Sequence, residues 1–95
     1  MRTAERYPEF AGGWIVIDAR QAPSLRHAIG ARIWRQRRSA EAFAQRSKNR
    51  LGRQESQHIH VVPVEGQTEI FALAYIDADG VVVHYDGTIR MEGRG

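Results

Sequence analysis

The chain has 95 residues and a mass of 10.8 kDa, which predicts one domain, and it has no cysteine, which excludes disulfide scaffolds and thiolate zinc sites. No segment approaches the roughly 20 consecutive apolar residues of a membrane span, and residues 1–8 lack the apolar stretch of a signal peptide. We therefore expect a soluble, cytoplasmic protein with no membrane partner. Hydrophobic residues make up 42% of the chain, a globular composition that argues against wholesale disorder.

The first half of the chain predicts a strand followed by helical structure. Residues 12–19 place four consecutive β-forming residues after a pair of glycines, which indicates a buried strand. Apolar residues then recur at every fourth position from Leu25 to Ile33, the spacing of one helix face. Ser39 is a candidate N-cap for a further helical stretch. Residues 24–51 are therefore predicted to form one long helix or two shorter ones.

The second half of the chain has the pattern of strands. Residues 58–64 are rich in β-branched side chains, and residues 69–76 are apolar on both faces, as expected of a central strand. Residues 81–85 predict the next strand. The Asp86-Gly87 pair is typical of a two-residue hairpin turn, which would lead into a short strand at residues 88–91.

Together these elements predict an α+β fold. It is a single domain in which a strand and then an Arg-rich helical segment are packed on an antiparallel meander of three to four strands, because a helix with one apolar stripe buries that stripe across one face of a sheet. The predicted boundaries are an N-terminal extension at residues 1–11, the domain at residues 12–92 and a tail at residues 93–95.

Charge is strongly segregated along the sequence. Residues 20–53 contain ten basic residues and one acidic residue, a net charge of +9, whereas residues 54–89 contain six acidic residues and no Lys or Arg. Nine of the ten basic residues are arginines, whose planar guanidinium suits bidentate contact with phosphate, so we expect this segment to contact nucleic acid or a nucleic-acid-handling protein complex. The candidate contact residues are Arg32, Arg35, Arg37, Arg38, Arg46, Lys48, Arg50, Arg53 and Trp34.

The function that this pattern favours is that of a small non-enzymatic binding module, which acts by occupancy and inhibition in the manner of phage or mobile-element accessory proteins. A protein-only adaptor for an acidic partner is one alternative. A solvated helix face, neutralised by the protein's own acidic turns, is another. Trp34 either stacks on a partner or completes the edge of the core. Because each copy carries a basic and an acidic half, a homodimer is a further expectation.

One short motif could carry chemistry, the pair His58 and His60 within residues 57–63. In a strand both imidazoles project from the same face, the spacing that lets them share a divalent metal or a phosphate. This His-hydrophobe-His pair resembles the metal-binding motif of HUH endonucleases, and the resemblance implies a metal-dependent phosphodiesterase or nicking nuclease. The segment is also similar to the strand of histidine-triad nucleotide hydrolases, with Ser56 in place of the first histidine, which implies His58 as nucleophile.

The alternative for this pair is a structural role on a half-exposed strand face. In that case the protein is not an enzyme, has no catalytic residue and needs no cofactor, with a divalent metal at His58 and His60 as the one cofactor considered. His84 is predicted two strands away from the pair, roughly 10 Å at ~4.8 Å per strand, which is marginal for a third ligand.

Overall fold

A computed structural model of the protein describes residues 10–20, 26–67, 70–76 and 82–88. Within these residues the chain forms six strands, one turn of 3-10 helix and two α-helices. The elements are Trp14–Asp18 (β1), Arg26–His27 (β2), Ile29–Ala31 (the 3-10 turn), Arg32–Trp34 (β3), Arg37–Asn49 (α1), Arg53–Ser56 (α2), Ile59–Pro63 (β4), Ile70–Ile76 (β5) and Val82–Thr88 (β6).

The six strands form one mixed sheet. From one edge to the other, the order is β4, β1, β3, β5 and β6, and the short β2 pairs with the first part of β5. The pairs of β1 with β3 and β4, and of β5 with β6, are antiparallel, whereas β2 and β3 run parallel to β5. It follows that β3 and β4 point in the same direction with β1 between them. α1 and α2 connect these two strands, which makes a β-α-β unit split by β1, a strand that precedes both in the chain.

The sheet is apolar on both faces. On one face α1 packs its small residues Ala40 and Ala44 against Val16, Trp34 and Ile59. The opposite face carries a second cluster of buried side chains, which includes Phe10, Ile15, Ile33, Val64 and Tyr75. The α+β prediction, with an Arg-rich helix packed on a sheet, is confirmed.

The Arg-rich helix begins at Arg37, not at residue 24, because residues 26–34 contribute strands instead. Ile33 and Trp34 are buried on opposite faces of the sheet, an arrangement that an extended strand provides and a single helix face does not. Gly30 adopts a positive φ of 75°, which interrupts any helix at that residue. Of the apolar residues with a four-residue spacing before Arg37, Ile29 lies in the 3-10 turn and Ile33 lies in β3, whereas Leu25 is outside the described residues.

The strands do not follow one another as a simple meander. β4 pairs with β1 instead of β5, so that β1 is an interior strand with β3 on one side and β4 on the other. The predicted hairpin at Asp86-Gly87 is absent: both residues lie inside β6, where Gly87 is opposite Ala72 of β5. A register irregularity between Ala72 and Ala74 accommodates this longer pairing. The predicted strand residues 89–91 lie outside the described residues.

The core reaches into the segment predicted as an extension. Phe10 is fully buried, and its ring meets the ring of Tyr75 edge-on with centroids 4.9 Å apart. The packed domain therefore includes residue 10. No helix among the described residues is long and apolar enough to cross a membrane.

Candidate nucleic-acid interface

α1 presents four strips of side chains, because residues three and four apart lie on the same side of a helix. The buried strip carries Ala40 and Ala44. The strip beside β3, which we call the β3 flank, carries Phe43 and Arg46. Two further strips complete the helix surface. They are the β4 flank, with Arg37, Glu41 and Lys48, and the solvent-facing crest, with Arg38, Gln45 and Asn49.

Two guanidinium groups lie against one phenyl ring on the β3 flank. The Cζ atom of Arg46 is 5.7 Å from the centroid of the Phe43 ring, and the Cζ atom of Arg32, on β3, is 5.8 Å from the same centroid. Arg32 is also 5.8 Å from the ring of Trp34, which lies 5.3 Å from that of Phe43. Both arginines are exposed. We call these four residues the Phe43 cluster.

Ring contacts of this kind position a guanidinium without consuming its hydrogen-bond donors. Attraction to the ring face contributes about 0.5–1 kcal/mol at exposed sites, while the N–H groups around the edge of the plane remain free for an incoming anion. Restricting the long side chains in advance also lowers the entropic cost of forming a phosphate contact. The cluster therefore presents two pre-positioned cations on one surface.

The carboxylates of the described residues do not neutralise this cluster. Arg20 pairs with Asp18 at 2.5 Å and with Glu55 at 2.5 Å, and Arg37 pairs with Glu41 at 2.9 Å. Hydrogen bonds from the Arg20 side chain and amide lower the pKa of Asp18 to about 2, and the side-chain hydrogen bonds to Asp18 and Glu55 raise the pKa of Arg20 above its usual range. The three ion pairs found among the described residues involve neither arginine of the cluster.

The surface continues from the cluster onto the sheet. Ala74 of β5 is directly opposite Arg32 on one side and His84 of β6 on the other. Residues directly opposite in neighbouring strands share a face, so these three residues form a row. His84 is exposed and lies roughly 10 Å from Arg32, two strand spacings of ~4.8 Å.

The remaining predicted contact residues are spread around the molecule. Arg35 lies on the opposite face of the sheet, with its Cζ atom 4.9 Å from the centroid of the Tyr75 ring. Arg37 lies over the Trp14 ring at 5.2 Å, so the run from Arg35 to Arg38 does not form one patch. The side chains of Arg38, Arg50 and Arg53 are exposed, and Lys48 is half-buried.

Trp34 belongs to the core. Only 8% of its surface is exposed, and it packs with Val16 and Ala40 beneath α1. Of the two roles considered for this residue, the structure therefore shows the one at the core. Its indole Nε1 is buried and has no hydrogen-bond acceptor among the described residues.

The histidine pair is placed at the start of the edge strand. His60 is exposed on β4, and His58 lies in the turn immediately before that strand. The prediction that His84 lies two strands away is wrong, because β4 and β6 are at opposite edges of the sheet. Four strand spacings separate them, about 19 Å. Among the described residues, no group of three or more His, Cys, Asp or Glu side chains is arranged to hold a metal ion.

Sequence reasoning missed two members of this surface. It placed Phe43 on a helix but did not identify the ring as the support of two arginines; the spacing of three residues between Phe43 and Arg46 is a signal that could have suggested half of this contact. It also considered His84 only as a metal ligand. The position of His84 beside Ala74 and Arg32 follows from strand pairing, for which the sequence carries no local signal.

Comparisons with known proteins return no family model, no curated protein and no solved structure that matches this chain. The resemblances of residues 57–63 to HUH endonucleases and histidine-triad hydrolases therefore rest on that segment alone.

Proposed function

We propose that this protein is a small non-enzymatic module that binds nucleic acid through the Phe43 cluster. The observation that carries the proposal is the placement of Arg32 and Arg46 on one ring, exposed and outside the ion pairs of the described residues. Phosphate is the anion that suits this arrangement best, because a guanidinium edge offers paired donors to two phosphate oxygens. A polyphosphate backbone can engage both arginines at once.

The start of α1 supports the same proposal. Its first turn carries Arg37 and Arg38 and no acidic residue, and Gln36 at the N-cap makes no capping hydrogen bond. Cations near a helix N-terminus oppose the helix dipole at a cost of about 0.3–1 kcal/mol each at low salt. Local rules of this kind are broken mostly where function requires it. A polyanion bound at this end of α1 would offset the unfavourable interaction between the two arginines and the helix dipole.

The mode of action that follows is occupancy. The module covers a stretch of nucleic acid, or the nucleic-acid site of a larger complex, and thereby inhibits the binding of other molecules there. A role as an accessory or inhibitor protein of a phage or mobile element, in the cytoplasm, accords with this mode. A homodimer, with the basic surface of one copy against acidic residues of the other, remains part of the proposal.

The test is fluorescence anisotropy with short single- and double-stranded DNA and RNA, titrated at several NaCl concentrations. We expect log K to fall with log salt. Arg32→Ala and Arg46→Ala should each weaken binding about tenfold at low salt and reduce the salt slope by about one. Arg35→Ala is the matched control, since it removes the same charge and the same kind of ring contact from the opposite face.

Two results would overturn the proposal. If Arg35→Ala weakens binding as much as Arg32→Ala, binding reflects diffuse charge and not the Phe43 cluster. If the wild-type protein binds none of the four nucleic acids even at low salt, the nucleic-acid function is abandoned in favour of an acidic protein partner.

A further inference from the structure

A second basic strip of α1 borders a groove at the edge of the sheet. The groove has a volume of about 270 Å³ and lies between the β4 flank, with Arg37, Glu41 and Lys48, and the strand segment 59–61. It is on the side of α1 away from the Phe43 cluster. The groove therefore forms a surface separate from the Phe43 cluster.

The hydrogen-bonding pattern of β4 shows which of its backbone groups face this edge. The Ala19 amide donates to the His58 carbonyl at 2.7 Å, and the Val64 amide donates to the Gly13 carbonyl at 2.9 Å. In an antiparallel pair, bonded and non-bonded residue pairs alternate along the strands. His60 and Val62 therefore point their backbone groups at β1.

By the same alternation, Ile59, Val61 and Pro63 point their backbone groups away from β1. In the described part of the chain β4 pairs with β1 alone. The outer edge thus offers the amides and carbonyls of Ile59 and Val61, while Pro63 contributes a carbonyl but no N–H. This edge has the spacing of donors and acceptors that an added strand requires, over one short stretch.

The charges beside this edge select the kind of strand. The side chains of Ile59 and Val61 face α1, so alternate side chains of an added strand would project into the groove beneath Lys48 and Arg37. Arg37 is paired with Glu41 at 2.9 Å, whereas Lys48 is in none of the ion pairs among the described residues. Acidic side chains at those alternate positions complement the groove. A second copy of this chain does not, because pairing two β4 strands would bring two basic flanks to the same seam.

We propose that the outer edge of β4 binds an extended acidic segment of a partner protein. The segment would add to the sheet as a new edge strand, paired with β4. Main-chain hydrogen bonds to Ile59 and Val61 supply the docking, and Lys48 supplies the preference for Glu or Asp. This site is separate from the Phe43 cluster, so the protein can hold nucleic acid on one flank of α1 and a protein partner on the other.

The first test is amide hydrogen exchange in the free protein, measured by NMR. We expect the amides of Ile59 and Val61 to exchange at least tenfold faster than those of His60 and Val62. Equal protection of all four amides would mean that the outer edge is already covered, and the proposal would be overturned.

The second test adds a probe, a nine-residue acetylated peptide that alternates Glu and Val, with a Lys-Val peptide of the same length as control. We expect the Glu-Val peptide to slow exchange at Ile59 and Val61 and to shift their amide resonances, and the Lys-Val peptide to do neither. Equal effects of both peptides, or resonance shifts confined to other parts of the protein, would contradict the proposal.

Charge reversals on the two flanks separate this site from the nucleic-acid site. Lys48→Glu should weaken binding of the Glu-Val peptide at least tenfold and leave nucleic-acid binding within about threefold of the wild type. Arg46→Glu should weaken nucleic-acid binding at least tenfold and leave binding of the Glu-Val peptide within about threefold of the wild type. Val61→Pro, which removes one outward N–H as Pro63 already does, should abolish peptide binding; the Lys48 variant decides the question if this proline prevents folding.

Discussion

The position of the Phe43 ring depends on the absence of a side chain at Gly30. A Cβ atom built on Gly30 would lie 2.5 Å from Cζ of Phe43 and within 3.3 Å of both neighbouring ring atoms. Gly30 also has a φ of 75°, in the region that favours glycine. The 3-10 turn before β3 thus supports the ring on which Arg32 and Arg46 rest.

Gly30→Ala should therefore affect both stability and the proposed site. We expect the free energy of unfolding to fall by about 1–3 kcal/mol from backbone strain and steric overlap, and nucleic-acid affinity to fall because the ring is displaced. Urea denaturation and anisotropy measure the two effects. Gly12→Ala is the control, since a Cβ at Gly12 meets nothing within 4 Å. Equal losses in the two variants would show that Phe43 does not depend on Gly30.

At the scale of single residues, the sequence identified the charged groups but not their surroundings. The predicted contact arginines are exposed, as expected. Their division among the two flanks, the crest and the opposite face was not predictable, because it depends on where β3 ends and α1 begins. Arg35 and Arg37 differ by two positions, yet one lies over Tyr75 and the other over Trp14.

At the scale of elements, the helix predicted within residues 24–51 is present only from Arg37 to Asn49, apart from the short α2 that follows. The helical stretch after Ser39 was expected and is present, whereas residues 26–34 form two short strands separated by a 3-10 turn. Short apolar runs with a spacing of four fit either a helix or strand segments when burial on two faces is unknown. β5 was predicted as a central strand from its two apolar faces, and it is flanked by β3 and β6.

A substitution at the start of α1 should increase the stability of the protein. Gln36→Asp would place a carboxylate at an N-cap that now makes no capping hydrogen bond, next to Arg37 and Arg38. We expect the unfolding free energy to rise by about 1 kcal/mol, from the cap and the helix dipole together. Thermal and urea denaturation measure the gain. The same change at Gln45, in the middle of the helix, should not stabilise; a gain at both positions would mean that the effect is one of net charge alone.

At the scale of the whole molecule, strand order is the feature that the sequence did not specify. Consecutive strands are neighbours in most sheets, which favours a meander. Here β1 is inserted between β3 and β4, so the two ends of the β-α-β unit are held apart by a strand that precedes both. In the sequence, the unbroken apolar run of residues 14–17 indicates that β1 is interior, but it does not indicate which strands are its neighbours.

The stability of the whole molecule should depend on pH through the contact at the end of β1. The pKa of Asp18 is about 2 in the folded protein, below its ordinary 3.8, because Arg20 hydrogen-bonds its ionised form. A depressed carboxyl pKa stabilises the fold at pH above about 4, and this contribution is lost as the pH falls from about 4 to about 2. Arg20→Ala should therefore lose less stability over that interval than the wild type.

Urea denaturation at pH 7, 4, 3 and 2 tests this expectation. Arg35→Ala serves as the control, because it removes one positive charge and leaves the Asp18 contact intact. The assignment to Asp18 fails if the two variants and the wild type lose stability in parallel down to pH 2.

The insertion of β1 between two later strands also bears on how the chain is made. β1 leaves the ribosome before β3 and β4, and both of its edges are paired only after Ile59–Pro63 has also been made. A nascent chain that stops short of Pro63 exposes one edge of β1, whose residues Ile15, Val16 and Ile17 are buried in the complete domain. Premature termination before that residue would therefore leave an aggregation-prone fragment and not a smaller working module.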